Sequence, residues 1–162
     1  MEFKRIVAPT DFSSFAEVGV RAAAELALRL GARLTLLHVV TESELEALAT
    51  AHVPRHPVDL IHQDMEAALL DQYRRVVPTE VRRDLSVEPV VAVGTPSAEI
   101  LRMARLKGAD LLVMGTHGRT GLARMVMGSV TEQVLRRAPC PVLAVRPAEV
   151  LAEAAGLSEA AA

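Results

Sequence analysis

The sequence predicts one α/β domain on an open parallel sheet with helices on both faces. Short β-rich apolar segments alternate with helical ones along 162 residues. Those segments are apolar on successive positions rather than on every second one, as in strands covered on both sides. Gly115-Thr116-His117-Gly118, followed by Gly128-Ser129, stands directly after one of them.

Phe3 to Ala8 reads as the first strand, and Ser14-Phe15-Ala16-Glu17 as a capping box opening a long Ala/Leu-rich helix that Gly31 ends. Arg33 to Val40 is a second buried strand. Thr41 to Pro57 loses periodicity and gathers His and Pro, which predicts a loop with a short helix. Val58 to Val77 recovers helical spacing, and Ser86 to Val93 is a Val-rich strand. Thr95-Pro96 supplies a cap and an N1 proline for the next helix, which Gly108 closes. Leu111 to Met114 is the fourth strand, Ser129 caps a helix over about Val130 to Arg137, and Val142 to Val145 is a short fifth strand between prolines. Residues 1–147 form the domain; 148–162 read as an Ala/Glu-rich tail, frayed or disordered.

Strand–helix alternation with right-handed crossovers gives a Rossmann-like or flavodoxin-like order, 3-2-1-4-5. Ligands of such sheets bind beyond the strands' carboxyl ends at the switch in strand order, so Pro9-Thr10-Asp11 and Gly115 to Gly118 are expected to share one crevice. Glycine lets backbone N–H groups approach a phosphate, the following helix adds unpaired donors and a positive dipole, and Ser129 offers a hydroxyl. No Gly-x-x-x-x-Gly-Lys-Ser/Thr is present, and Gly115-x-x-Gly118-x-x-Gly121 lacks dinucleotide spacing.

With a net charge of −2 and no basic run longer than a pair, the chain has no electrostatic footprint for nucleic acid. The apolar run after Lys4-Arg5 stops at Pro9, short of a signal or membrane segment, so a cytoplasmic location is expected. Cys140 is the single cysteine; Pro139-Cys140-Pro141 reads as a structural turn rather than a reactive thiol.

These residues resemble a universal stress protein of the nucleotide-binding branch, over roughly residues 3 to 147. That family's Gly-x2-Gly-x9-Gly-Ser/Thr pattern is met by Gly115, Gly118, Gly128 and Ser129, its Pro-x-Asp by Pro9 and Asp11, and its Leu-His-Val by Leu37, His38 and Val39. The resemblance implies ATP, with or without Mg, with adenine near Asp11 and Val39 and phosphates on residues 115–129. It also implies a homodimer joined through the fifth strand. The expected nucleotide set is Pro9, Thr10, Asp11, Val39, Met114, Gly115, Gly118, Arg119, Gly128, Ser129 and Val130.

Asp11 has helix capping as its alternative role, and Met114 is a wall rather than chemistry. Arg119 and Arg124 either pair with phosphates or lie as solvated loop charges. His117 reads as a loop or positioning residue, since no carboxylate near it in sequence orients it as a base. His52, His56 and His62 are separated by Pro54 and Pro57, which break a common helical face and favour a surface loop over a metal site. The leading function is an ATP-binding stress or signalling protein whose nucleotide alters dimer or partner contacts, with slow or no hydrolysis. The alternatives are an enzyme of the wider adenine-nucleotide α-hydrolase-like group and a nucleotide-free interaction module.

Overall fold

The computed structural model describes residues 2–50, 58–116 and 127–147. Five parallel strands are β1 (Arg5–Thr10), β2 (Arg33–Val40), β3 (Val87–Val93), β4 (Leu111–Gly115) and β5 (Val142–Val145), ordered β3-β2-β1-β4-β5. The helices among the described residues are α1 (Ser14–Leu30), α2 (Glu42–Thr50), α3 (Val58–Val76), α4 (Thr79–Arg83), α5 (Pro96–Leu106) and α6 (Ser129–Arg137). The predicted fold class and strand order are those observed. The tail at 148–162 lies outside the described residues.

Alternation along the central strands divides the core in two. Ile6, Ala8, Leu34, Leu36 and Val113 face α1, α3 and α4, where they meet Val20, Ala24, Leu69 and Tyr73. Val7, Leu37, Val39, Leu112 and Met114 face α5 and α6, where they meet Ile100, Met103 and Val134. At the amino ends of the strands, the Asp110 carboxylate accepts the N–H groups of Lys4 and Arg5 at 3.0 to 3.1 Å and ties β1 to the start of β4.

Several boundaries differ from expectation, each for a local reason. β1 runs on to Thr10, past Ala8, because Pro9 is accommodated inside a central strand, where proline is normally excluded. Helix α1 is capped one residue early: Ser13 Oγ accepts from Ala16 N at 3.2 Å, and Glu17, expected to reach back to Ser14, pairs with Arg75 of α3 at 2.6 Å. Gly128, not Ser129, occupies the N-cap of α6, and Thr95 stands at the N-cap of α5 without a side-chain cap bond. The short helix expected somewhere in Thr41 to Pro57 is the nine-residue α2, which follows β2 directly and is opened by a capping box. Glu44 Oε2 accepts Thr41 N–H at 2.8 Å, and Thr41 Oγ1 accepts Glu44 N–H at 3.3 Å. α4 was not anticipated in the sequence.

Helix α1 lies in close contact with the end of β4. Its buried stripe is Ala16, Gly19, Val20, Ala23, Ala24 and Ala27, all small. A Cβ on Gly19 would stand 2.7 Å from Gly115 N, and one on Gly115 would overlap the Phe15 carbonyl oxygen. The two glycines let the first turns of α1 rest on the carboxyl end of β4.

Gly19→Ala therefore sets two effects against each other. Alanine in a helix interior is favoured over glycine by about 1 kcal/mol, whereas overpacking against a backbone that cannot yield costs about 1–3 kcal/mol. Overpacking is expected to win: urea denaturation should show a net loss of stability, and an unchanged or raised midpoint would contradict the close packing.

Candidate functional site

The strands part where their order reverses. Lys4 C=O accepts from Arg33 of β2 and Arg5 C=O accepts from Asp110 at the start of β4, so even residues of β1 address β2 and odd ones address β4. Pro9 is odd and has no N–H. The β1–β4 ladder pairs Ile6 with Leu111 and Val7 with Leu112 and ends there, although both strands continue for three residues. Past that point lies a crevice of about 280 Å³.

Nine of the predicted residues line it together: Pro9 and Thr10 at the end of β1, Asp11 in the following turn, Val39 on β2, Met114 and Gly115 on β4, and Gly128, Ser129 and Val130 at the start of α6. The predicted Gly118 and Arg119 lie outside the described residues, as do His117, Arg124, His52 and His56.

The turn after β1 is built by side chains. Thr10 is buried; its Oγ1 accepts Phe12 N–H at 3.1 Å and donates to Gln72 Oε1 at 3.0 Å, and its C=O lies 2.9 Å from His38 Nδ1. A carbonyl only accepts, so Nδ1 carries the proton. Asp11 Oδ1 accepts Ser13 N–H at 3.1 Å and Ser13 Oγ–H at 2.6 Å, and so steadies the residue that caps α1. The carboxylate supports the capping residue rather than capping α1 itself, and it also lines the crevice. Phe12 has φ +64°, a conformation costing a bulky residue on the order of 1–3 kcal/mol, and its ring packs on His38 with centroids 4.5 Å apart.

On the β2 side, the same alternation aims the Val39 C=O toward β1. Thr10, paired with His38, is the last β1 residue in that ladder, and Phe12 N–H is turned back onto Thr10 Oγ1. The Val39 carbonyl therefore has no strand residue opposite it. Across the crevice, Gly128 N–H donates to Thr116 C=O at 2.7 Å and forms a neck between the end of β4 and the start of α6, while Thr131 Oγ1 donates to Gly115 C=O at 3.0 Å. The neck presents the first turn of α6, whose Ser129, Val130 and Thr131 N–H groups have no intrahelical acceptor, and no side chain caps them among the described residues. The φ of Gly128 is −73°, so it does not occupy a left-handed conformation.

Thr41, Glu44, Pro96 and Ile100 also line the crevice and were not predicted. Thr41-x-x-Glu44 was readable as a capping box, and Pro96 follows a strand's carboxyl end, where Asp11 and Gly115 also lie. Cys140, half-buried in the turn before β5, lies outside the crevice. Burial and the nearby Asp110 charge raise its thiol pKa, with the Leu112 backbone acting the other way, which suits a structural turn better than a nucleophile. Among the described residues no His, Cys, Asp and Glu cluster could hold a metal ion, and no helix is long and apolar enough to cross a membrane.

The model of the universal stress protein family matches residues 2–146. The chain belongs to the universal stress protein family. Universal stress protein YxiE of Bacillus subtilis is 33% identical over 149 residues, covering 89% of this chain and 99% of that protein. Universal stress protein MJ0577 of Methanocaldococcus jannaschii is 29% identical over 156 residues, covering 89% of this chain and 95% of that protein. A solved MJ0577 structure has a TM-score of 0.70 at 28% identity, covering 91% of this chain and 98% of that one. A universal stress protein crystallised in complex with cAMP shares the fold, with a TM-score of 0.58 at 24% identity, covering 90% of this chain and 98% of that one.

Proposed function

We propose that this universal stress protein binds ATP in the crevice between β1 and β4, and that the bound nucleotide acts on dimer or partner contacts with slow or no hydrolysis. The observation that carries the reading is the pairing of two kinds of backbone edge across one cleft. At one end the Val39 carbonyl faces the crevice; at the other stand the N–H groups of α6. A carbonyl accepts from the 6-amino group of adenine and repels the 6-oxo group of guanine. Unpaired helix N–H groups with the positive end of a helix dipole suit phosphate oxygens.

The residues fit such a ligand. Pro9, Val39, Met114 and Val130 supply apolar walls, Thr10 shapes the adjoining turn, and Asp11 stands at the ribose or base end. Gly115, Gly128 and Ser129, with Gly118 and Arg119 between them in sequence, would hold the phosphates. ATP supplies a polyanion whose loss or hydrolysis would empty the α6 end. Magnesium would arrive with the phosphates, since the described residues form no acidic cage for it. Location in the cytoplasm accords with this reading.

A homodimer through β5 is part of the same proposal. Among the described residues β5 is an edge strand with no strand on its outer side; it carries Leu143, 41% exposed, beside Val142 and Val145, and such an apolar edge invites pairing. The same strand from a second copy would satisfy its free backbone groups in a closed two-fold contact, which Pro141 and Pro147 confine to one short segment.

Calorimetry with ATP, with and without Mg²⁺, should give micromolar or tighter affinity, about tenfold weaker for GTP because the Val39 carbonyl would face an acceptor. At about 100 times Kd, ATP should stabilise the fold by about 2.7 kcal/mol. Gly128→Val should abolish binding while circular dichroism stays native-like. No heat and no thermal shift at millimolar ATP would end the reading, and tight ATP binding by folded Gly128→Val would move the phosphates elsewhere.

Leu143→Lys should convert a sedimenting dimer to monomer with ATP affinity little changed, since β5 lies outside the crevice. A wild-type protein that is monomeric at tens of micromolar, or a Lys variant that stays dimeric, would exclude this interface.

A further inference from the structure

Three buried side-chain atoms among the described residues make no hydrogen bond: Gln72 Nε2, Tyr73 Oη and Arg82 Nε. All three belong to α3 and α4, on the face of the sheet that α1 covers. Burying a polar atom without a partner opposes folding. Docking of this layer therefore works against a term that the described parts of α1, α5 and α6 do not carry.

Gln72 is also where this layer meets the crevice. It is 2% exposed, and its Oε1 holds the Thr10 hydroxyl. Through that hydroxyl runs the bond to Phe12 N–H, and Phe12 keeps its left-handed backbone in the turn that presents Asp11. Without the Gln72 bond the Thr10 side chain is free to change χ1 rotamer, which would carry Oγ1 away from Phe12 N–H and let the turn relax. For packing alone, a methionine of the same length would serve better at 72, since it has no amide to desolvate. The amide's bond to Thr10 is what the position gains from glutamine.

We propose that Gln72 is a positioning residue through which α3 sets the Asp11 turn, so that nucleotide binding and the docking of α3 are coupled. The proposal rests on the nucleotide reading of the crevice. Coupling of this kind is reciprocal: if a docked α3 improves affinity by some factor, bound nucleotide favours the docked α3 by the same factor. The nucleotide state is then reported on the opposite face of the sheet from α5 and α6, by a helix that follows the segment at residues 41–57.

The test compares wild type, Gln72→Met, Thr10→Val, Thr10→Ser and the Gln72→Met/Thr10→Val double variant. Each is measured for ATP affinity by calorimetry, for urea denaturation without nucleotide, and for amide hydrogen exchange in α3 with and without ATP. Gln72→Met is expected to weaken ATP binding about tenfold while its denaturation midpoint does not fall. ATP should slow exchange in α3 of wild type and not of Gln72→Met, and the double variant should bind no more weakly than Thr10→Val, because both changes cut the same link. Thr10→Ser, which keeps the hydroxyl, should retain affinity and protection. If Gln72→Met does not fold, the contrast between Thr10→Val and Thr10→Ser decides the same question. Wild-type affinity in Gln72→Met, parallel loss of affinity and stability, or additive losses in the double variant would overturn the proposal and leave the nucleotide reading standing. A wild-type protein that binds no ATP would remove both.

Discussion

A proline at position 9 stands where β1 would next donate to β4, and the crevice depends on it. In a parallel ladder each strand donates on alternate residues, so the loss of one N–H in the right phase ends the pairing without ending either strand. Both strands carry on, and the space between their carboxyl ends becomes a cleft rather than more sheet. On the other side of β1, the ladder to β2 runs through Thr10 and His38, and the turn after Thr10 leaves the Val39 carbonyl facing the same space. One missing donor and one tight turn thus convert the reversal in strand order into a lined pocket.

What the pocket needs next is a fixed relation between its two loops, and α1 supplies it. The turn of Asp11 to Ser13 leads directly into α1, and the first turns of α1 lie against Gly115 so closely that neither Gly19 nor Gly115 has room for a methyl group. Gly115 is followed by Thr116, whose carbonyl receives Gly128 N–H, and Thr131 returns a hydroxyl to Gly115. The glycines of this site therefore serve different ends. Gly115 is required by helix packing from behind, whereas Gly128 stands at the mouth of α6. A sequence motif merges these two requirements into one pattern.

Much of the architecture was legible because its signals are local. β2 and β5 are short apolar runs with clear flanks, and Gly31 stops α1 with φ +59°, as a C-terminal glycine does. The crevice residues were legible through strand order, which brings Pro9 to Asp11 beside Gly115 once β1 and β4 are neighbours. The misses came from tertiary partners that spacing does not reveal. Proline in a central strand reads as a strand's end, so β1 was cut at Ala8. Ser14 and Glu17 have the spacing of a capping box, but Arg75 of α3 takes Glu17 and Ser13 takes the cap. His38 was visible in Leu-His-Val as a motif residue; its work of holding the Thr10 carbonyl needs the register of two strands. Gln72 gave no sequence signal, since one glutamine in an amphipathic helix looks like its solvent face.

In the proposed reading, backbone groups at three places, the Asp11 turn, the Val39 carbonyl of β2 and the first turn of α6, meet one nucleotide at once. Titration of ¹⁵N-labelled protein with ATP, followed by amide resonances, tests this most directly. The account predicts saturating shifts concentrated at Asp11 and Phe12, at Val39 and Val40, and at Ser129 to Thr131, all with one dissociation constant. Shifts confined to β5 or to the amino ends of the strands, with those three groups unmoved, would contradict it.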